Sequence, residues 1–77
     1  MTDIRDLNPG QIRQIQQAKE MEIFRNPVDP AGPWARQAQW AQRAGLIGIR
    51  LVDKTKANVV VTERGKAILD QHKEMAR

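Results

Sequence analysis

Arg36, Gln39 and Arg43 are spaced three and four residues apart, which places them on one side of a helix. Arginine and glutamine carry donor and acceptor patterns that match base edges in the major groove of DNA. Arg50, Lys54 and Lys56 follow closely, and their chemistry suits backbone phosphates beside such a groove. Trp40 lies at the edge of the same helical face, where an indole either stacks on a base or covers a neighbouring helix or a dimer interface. These seven side chains are the candidate nucleic-acid-binding set. The plainer alternative is a solvated helix face followed by a polar hairpin tip.

Other chemistries lack their residues. The chain has no cysteine, serine or tyrosine, which removes thiol and serine nucleophiles. His72 is the single histidine and falls on the apolar side of a helix, so it is expected to be structural. Without cysteine, and with scattered carboxylates, no metal site is expected. No phosphate-cradling glycine loop is present. The sequence therefore predicts a binding protein rather than an enzyme, with no cofactor.

Charge supports the same choice. Residues 1–35 carry four basic and five acidic groups, a net −1, and residues 57–77 carry a net +1. Residues 36–56 hold Arg36, Arg43, Arg50, Lys54 and Lys56 against Asp53 alone, so this stretch matches the whole formal charge of +4. Concentration of charge in one stretch is the electrostatic footprint of a polyanion partner. No apolar run approaches the roughly 20 residues that span a bilayer, and the start of the chain lacks signal-peptide character. A cytoplasmic protein is expected.

The elements that must position these residues are readable from caps, breakers and periodicity. Asn8, Pro9 and Gln11 make an N-cap, a first helical position and a capping-box partner, with Leu7 and Ile12 as a hydrophobic staple. A first helix is expected over about 8–25, with Ile12, Ile15, Lys19 and Ile23 in one stripe and Ala18 at its margin. Pro27 ends it, and residues 26–33, with three of the four prolines, form a loop. A second helix is predicted over about 33–44, apolar along Trp34, Ala38, Ala41 and Ala44 and stopped by Gly45. Ile47, Ile49 and Leu51 alternate into a strand, Asp53 to Ala57 form a polar tip, and Asn58 to Val61 return. Thr62 caps a last helix from Glu63 to about Met75, with Ile68, Leu69, His72 and Met75 near one side. The expected architecture is a single small α+β domain, winged-helix-like, in the order helix, helix, β-hairpin, helix. Residues 1–7 are expected to be a flexible start.

Two segments carry a resemblance. Ala41-Gln-Arg-Ala-Gly-Leu-Ile-Gly-Ile-Arg50, followed by a basic tip and Val59-Val-Val-Thr-Glu-Arg-Gly-Lys-Ala-Ile-Leu69, resembles the second half of winged-helix regulators, with the MarR-like regulators closest in pattern. The resemblance covers about residues 34–71. It implies a recognition helix ending in a Gly-Leu pair, a two-stranded wing, and a Thr-x-x-Gly start to the closing helix. It also implies binding of duplex DNA by a regulator or a phage-like or mobile-element accessory factor. Lys54 and Lys56 stand where the family carries arginine at the wing tip, and one long helix with a proline-rich loop replaces its usual pair of helices before the recognition helix. The other function class is a protein-binding module that presents Trp34, Trp40 and the proline loop to a partner. A core this small also predicts apolar surface left over for a homodimer, with the first and last helices as its interface.

Overall fold

Helix α1 (Pro9–Phe24) begins as its residues predict. Gln11 N–H donates to Asn8 Oδ1 at 2.8 Å and Asn8 N–H donates to Gln11 Oε1 at 3.0 Å, closing the capping box. The computed structural model describes residues 4–75. At the other end Arg25 turns into the left-handed region at φ 54°, and Asn26 N–H closes on Met21 O at 3.0 Å before Pro27.

Six elements follow the predicted order with one division. After α1 come α2 (Pro33–Gln37), α3 (Gln39–Arg43), β1 (Ile47–Leu51), β2 (Ala57–Val61) and α4 (Glu63–Met75). The strands form one antiparallel hairpin in which Ile47 faces Val61, Ile49 faces Val59 and Leu51 faces Ala57. This is a small α+β domain with the helix–helix–hairpin–helix order expected.

The single helix expected over 33–44 is instead two five-residue helices broken at Ala38, where φ is −90° and ψ 5°. No glycine or proline causes the break. Trp34 and Trp40 are six residues apart, so a straight helix would set them about 120° apart around its axis. Both indoles nevertheless reach α1: Trp34 Nε1–H donates to Gln17 Oε1 at 3.1 Å and Trp40 Nε1–H to Gln14 Oε1 at 2.6 Å. The break at Ala38 brings both rings to one neighbour, and Ala35, Ala38 and Ala41 are small enough to stay buried beneath them.

The core is built from few large side chains. Ile15, Leu46 and Val59 are the largest that are fully buried, joined by Ala18, Ala38, Ala41, Ile47, Val61, Ile68 and Leu69. The α1 stripe is rotated from its expected position. Ile15 and Ala18 are fully buried, Ile12 and Met21 pack at the margin, and Ile23 is 61 % exposed. Small Ala18 leaves room for β2 to pack closely on α1, and Ile23 faces outward. On α4, Ile68 and Leu69 are buried and His72 is half-buried; the side chain of Met75 lies outside the described residues.

A further correction concerns the start of β2. Ala57, expected in the hairpin tip, begins β2 and is fully buried, because Val28 of the proline loop bridges to it in both directions at 2.9 and 2.8 Å. Within the start of the chain, Ile4–Asp6 form a 3-10 turn and Leu7 packs at the core margin, while residues 1–3 lie outside the described set. No helix among the described residues is long and apolar enough to cross a membrane.

Candidate nucleic-acid interface

The junction between α3 and β1 holds the candidate surface together. Gly45 ends α3 at φ 75°, a conformation that suits glycine, and Leu46 N–H returns to Ala41 O at 2.8 Å. The Thr62 hydroxyl donates to Gly45 O at 2.6 Å, Thr62 N–H donates to Leu46 O at 3.1 Å, and Gly65 N–H donates to the Thr62 oxygen at 3.2 Å. Thr62 thus caps α4 and fastens the exit of β2 to the end of α3. Gly65 closes the joint, because a Cβ there would run into Leu46 O and Val61 Cγ1. The hairpin and α3 are therefore braced against each other at this junction.

On that frame Gln39 and Arg43 stand one turn apart on α3, both exposed. Arg36 is exposed too, but it belongs to α2, so the break at Ala38 separates it from the other two. Arg50 is exposed on the outer face of the hairpin opposite Asn58, and Lys54 and Lys56 are exposed at the tip. None of these five cations forms an ion pair with a described residue. The geometry unites Gln39 with Arg43 and Lys54 with Lys56, and splits Arg36 from the helix it was expected to share.

Asp53, the single acid in this stretch, is occupied by the turn. Its Oδ1 accepts Thr55 N–H at 2.7 Å, the Thr55 hydroxyl at 3.0 Å and Lys56 N–H at 2.8 Å. The Thr55 backbone and hydroxyl bonds, with a smaller contribution from Lys56 N–H, hold its carboxyl below the usual aspartate range. The tip is consequently shaped by its one carboxylate, while both lysines point their charge to solvent.

Trp40 has a packing place. Its ring is half-buried against the core and its N–H is already bonded to Gln14, which is the helix-covering alternative for this residue. Trp34 is held in the same manner by Gln17.

Two surface residues escaped the sequence reading, and a third was placed on the wrong side. Gln42 is exposed on α3 beside Gln39 and Arg43, and helical spacing alone would have allowed it. Arg64 lies outside the basic stretch in sequence, yet its Nη1 stands 3.6 Å from where a Gly45 Cβ would be, at the end of α3. Its position beside the Thr-x-x-Gly cap was the signal for this. Leu51, expected on the apolar side of the strand, is 72 % exposed. Elsewhere a shallow groove between α1 and α4 is lined by Lys19, Ile23, Leu69, His72 and Lys73 among others. No cluster of metal-binding side chains occurs among the described residues.

The chain matches no family model, no curated protein and no solved structure.

Proposed function

We propose that this domain binds duplex nucleic acid, DNA foremost, through α3, the neighbouring Arg36 and the hairpin, and that it acts without catalysis or cofactor. The observation that supports this best is the set of five exposed cations, Arg36, Arg43, Arg50, Lys54 and Lys56, which form no ion pair among the described residues, in a stretch whose one acid is engaged in its own turn. Lys54 and Lys56 serve phosphates, and Gln39 with Arg43 supply the side-chain types that read base edges. A regulator or an accessory factor of a mobile element, working in the cytoplasm, fits this chemistry. The test is titration of the folded protein against a random-sequence duplex at rising salt. Binding at about 50 mM salt that falls steeply as salt rises is expected for phosphate contacts. No binding there by folded protein removes the reading.

A protein-binding module is the second reading, and a different observation favours it. Ile23 is 61 % and Phe24 69 % exposed, consecutive residues at the end of α1, and exposed apolar patches mark interaction sites. The tryptophans that sequence offered for this role are docked on α1, so the apolar surface for a partner, including a second copy of the chain, is Ile23 and Phe24. Failure of DNA binding together with retained self-association would favour this second reading.

A further inference from the structure

The end of the hairpin carries a pairing that phosphate contact does not use. Leu51 is 72 % exposed and Val52 60 % exposed, side by side where β1 runs into the tip. Leu51 lies on the same face of the ribbon as Ile47 and Ile49, which pack in the core, but it stands past the edge of that core. Its partner across the ladder, Ala57, is fully buried and bridged to Val28, so the base of the arm is fastened. The far end is fastened as well. Val52 N–H donates to Lys56 O at 2.9 Å, and Asp53 Oδ1 holds Thr55 and Lys56. Two adjacent branched aliphatics therefore sit on a braced turn with Arg50 on one side and Lys54 and Lys56 on the other.

From this arrangement we infer that Leu51 and Val52 are a wedge that enters between two base pairs of a DNA duplex from the minor groove, unstacking one step and kinking the helix. The inference rests on the nucleic-acid reading. Apolar side chains inserted at a step are how minor-groove proteins bend DNA, and the loss of stacking is offset by contacts that the bend permits. The cations flanking the pair match the phosphates that flank such a step. The occupant is a duplex rather than an anionic bilayer, because exposed cations are not confined to the tip but include Arg43 and Arg36 on the helices, which suits a long polyanion. Bracing at both ends of the turn lowers the ordering cost of insertion.

The test uses a short duplex with 2-aminopurine placed beside flexible TA steps, whose stacking is weakest. Wild-type protein is expected to raise the probe fluorescence on binding. The Leu51→Ser, Val52→Ser double variant should lose most of that rise while keeping the same salt slope. Its affinity should fall by less than about tenfold, because the unstacking penalty disappears together with the wedge. The exposure of both side chains means the variant should keep its circular dichroism and melting profile. Salt-dependent binding by the wild-type chain with no rise in fluorescence overturns the wedge and leaves the nucleic-acid reading standing. The wild-type arm decides this even if the variant misfolds. An unchanged rise in the folded variant also overturns it. No binding by folded protein overturns both readings. Wild-type capture by phosphatidylserine vesicles that the variant loses, with no fluorescence change on DNA, assigns the pair to a membrane surface instead.

Discussion

Trp40 and Gln14 are joined by a 2.6 Å hydrogen bond from the indole Nε1–H to the amide Oε1, in a half-buried place between α3 and α1. Replacing Trp40 by Phe keeps most of the ring and removes the donor, leaving Gln14 short of a partner. Loss of about 1–2 kcal/mol is expected, within the range for an unsatisfied, partly buried acceptor. Trp34→Phe removes the more exposed bond to Gln17 and should cost less, under about 1 kcal/mol. Urea unfolding of both variants, with Gln14→Ala in a double-mutant cycle, checks the ranking.

Gly65 and Gly45 predict different penalties at one joint. Gly65→Ala sets a methyl group against a backbone carbonyl, so the contact of α4 with Leu46 must open; a loss of about 3 kcal/mol or more is expected from overpacking. Gly45→Ala brings its methyl only into ordinary contact with Arg64 Nη1, 3.6 Å away, but on a left-handed backbone at φ 75°, and should cost about 1–2 kcal/mol. Equal melting temperatures for the two variants would contradict this account.

Asp53 gives the hairpin tip a pH dependence of known sign. Its folded-state carboxyl is held below the ordinary value near 4, so the turn is favoured above that value and the benefit is lost as pH falls through the lower folded-state value. Amide shifts of Thr55 and Lys56 should therefore move together in acid, with a midpoint below that of free aspartate. Asp53→Ala should abolish this transition and loosen the tip at neutral pH without unfolding the core.

The binding surface makes a quantitative prediction. Four phosphate contacts by Arg36, Arg50, Lys54 and Lys56, with Arg43 kept for base edges, give a log–log salt slope of about −3.6. Lys54→Ala with Lys56→Ala should make that slope shallower by about 2 and weaken all sequences alike. Arg43→Ala or Gln39→Ala should cost about 1–3 kcal/mol on a preferred sequence alone, where those side chains meet base edges.

Phe24 tests self-association. A chain exposing Ile23 and Phe24 side by side is expected to sediment above its 8.8 kDa mass at high micromolar concentration. Phe24→Glu should return it to monomer with an unchanged melting curve. A wild-type monomer under those conditions ends the dimer proposal.

Much of this fold is local, and local signals were legible. Asn8 with Gln11, Gly45 and Thr62 each satisfy backbone groups within a few residues, so caps and element order could be read directly. The misread features depend on distant partners. Ala38 breaks the helix because Gln14 and Gln17 draw two tryptophans to one side, and nothing between residues 33 and 44 announces that. Ala57 looked like part of a polar tip because Val28, its bridge partner, lies on a loop with no strand pattern. The candidate cations were legible as a cluster in sequence, since exposed charge needs no partner; Arg64 joins them only through the fold.

On the proposed DNA-binding role, the break at Ala38 also limits how much information this protein can extract from a polymer. A helix of five residues is about 7.5 Å long, close to two base-pair steps. One α3 can thus inspect only a handful of letters, a word that recurs throughout any genome. Selectivity on a genomic scale must come from adding words, through a second copy set at a fixed spacing, or from the bendability of the surrounding DNA. Natural sites would then be recognised as phrases of short repeats or soft steps, and a search for one long conserved consensus would miss them.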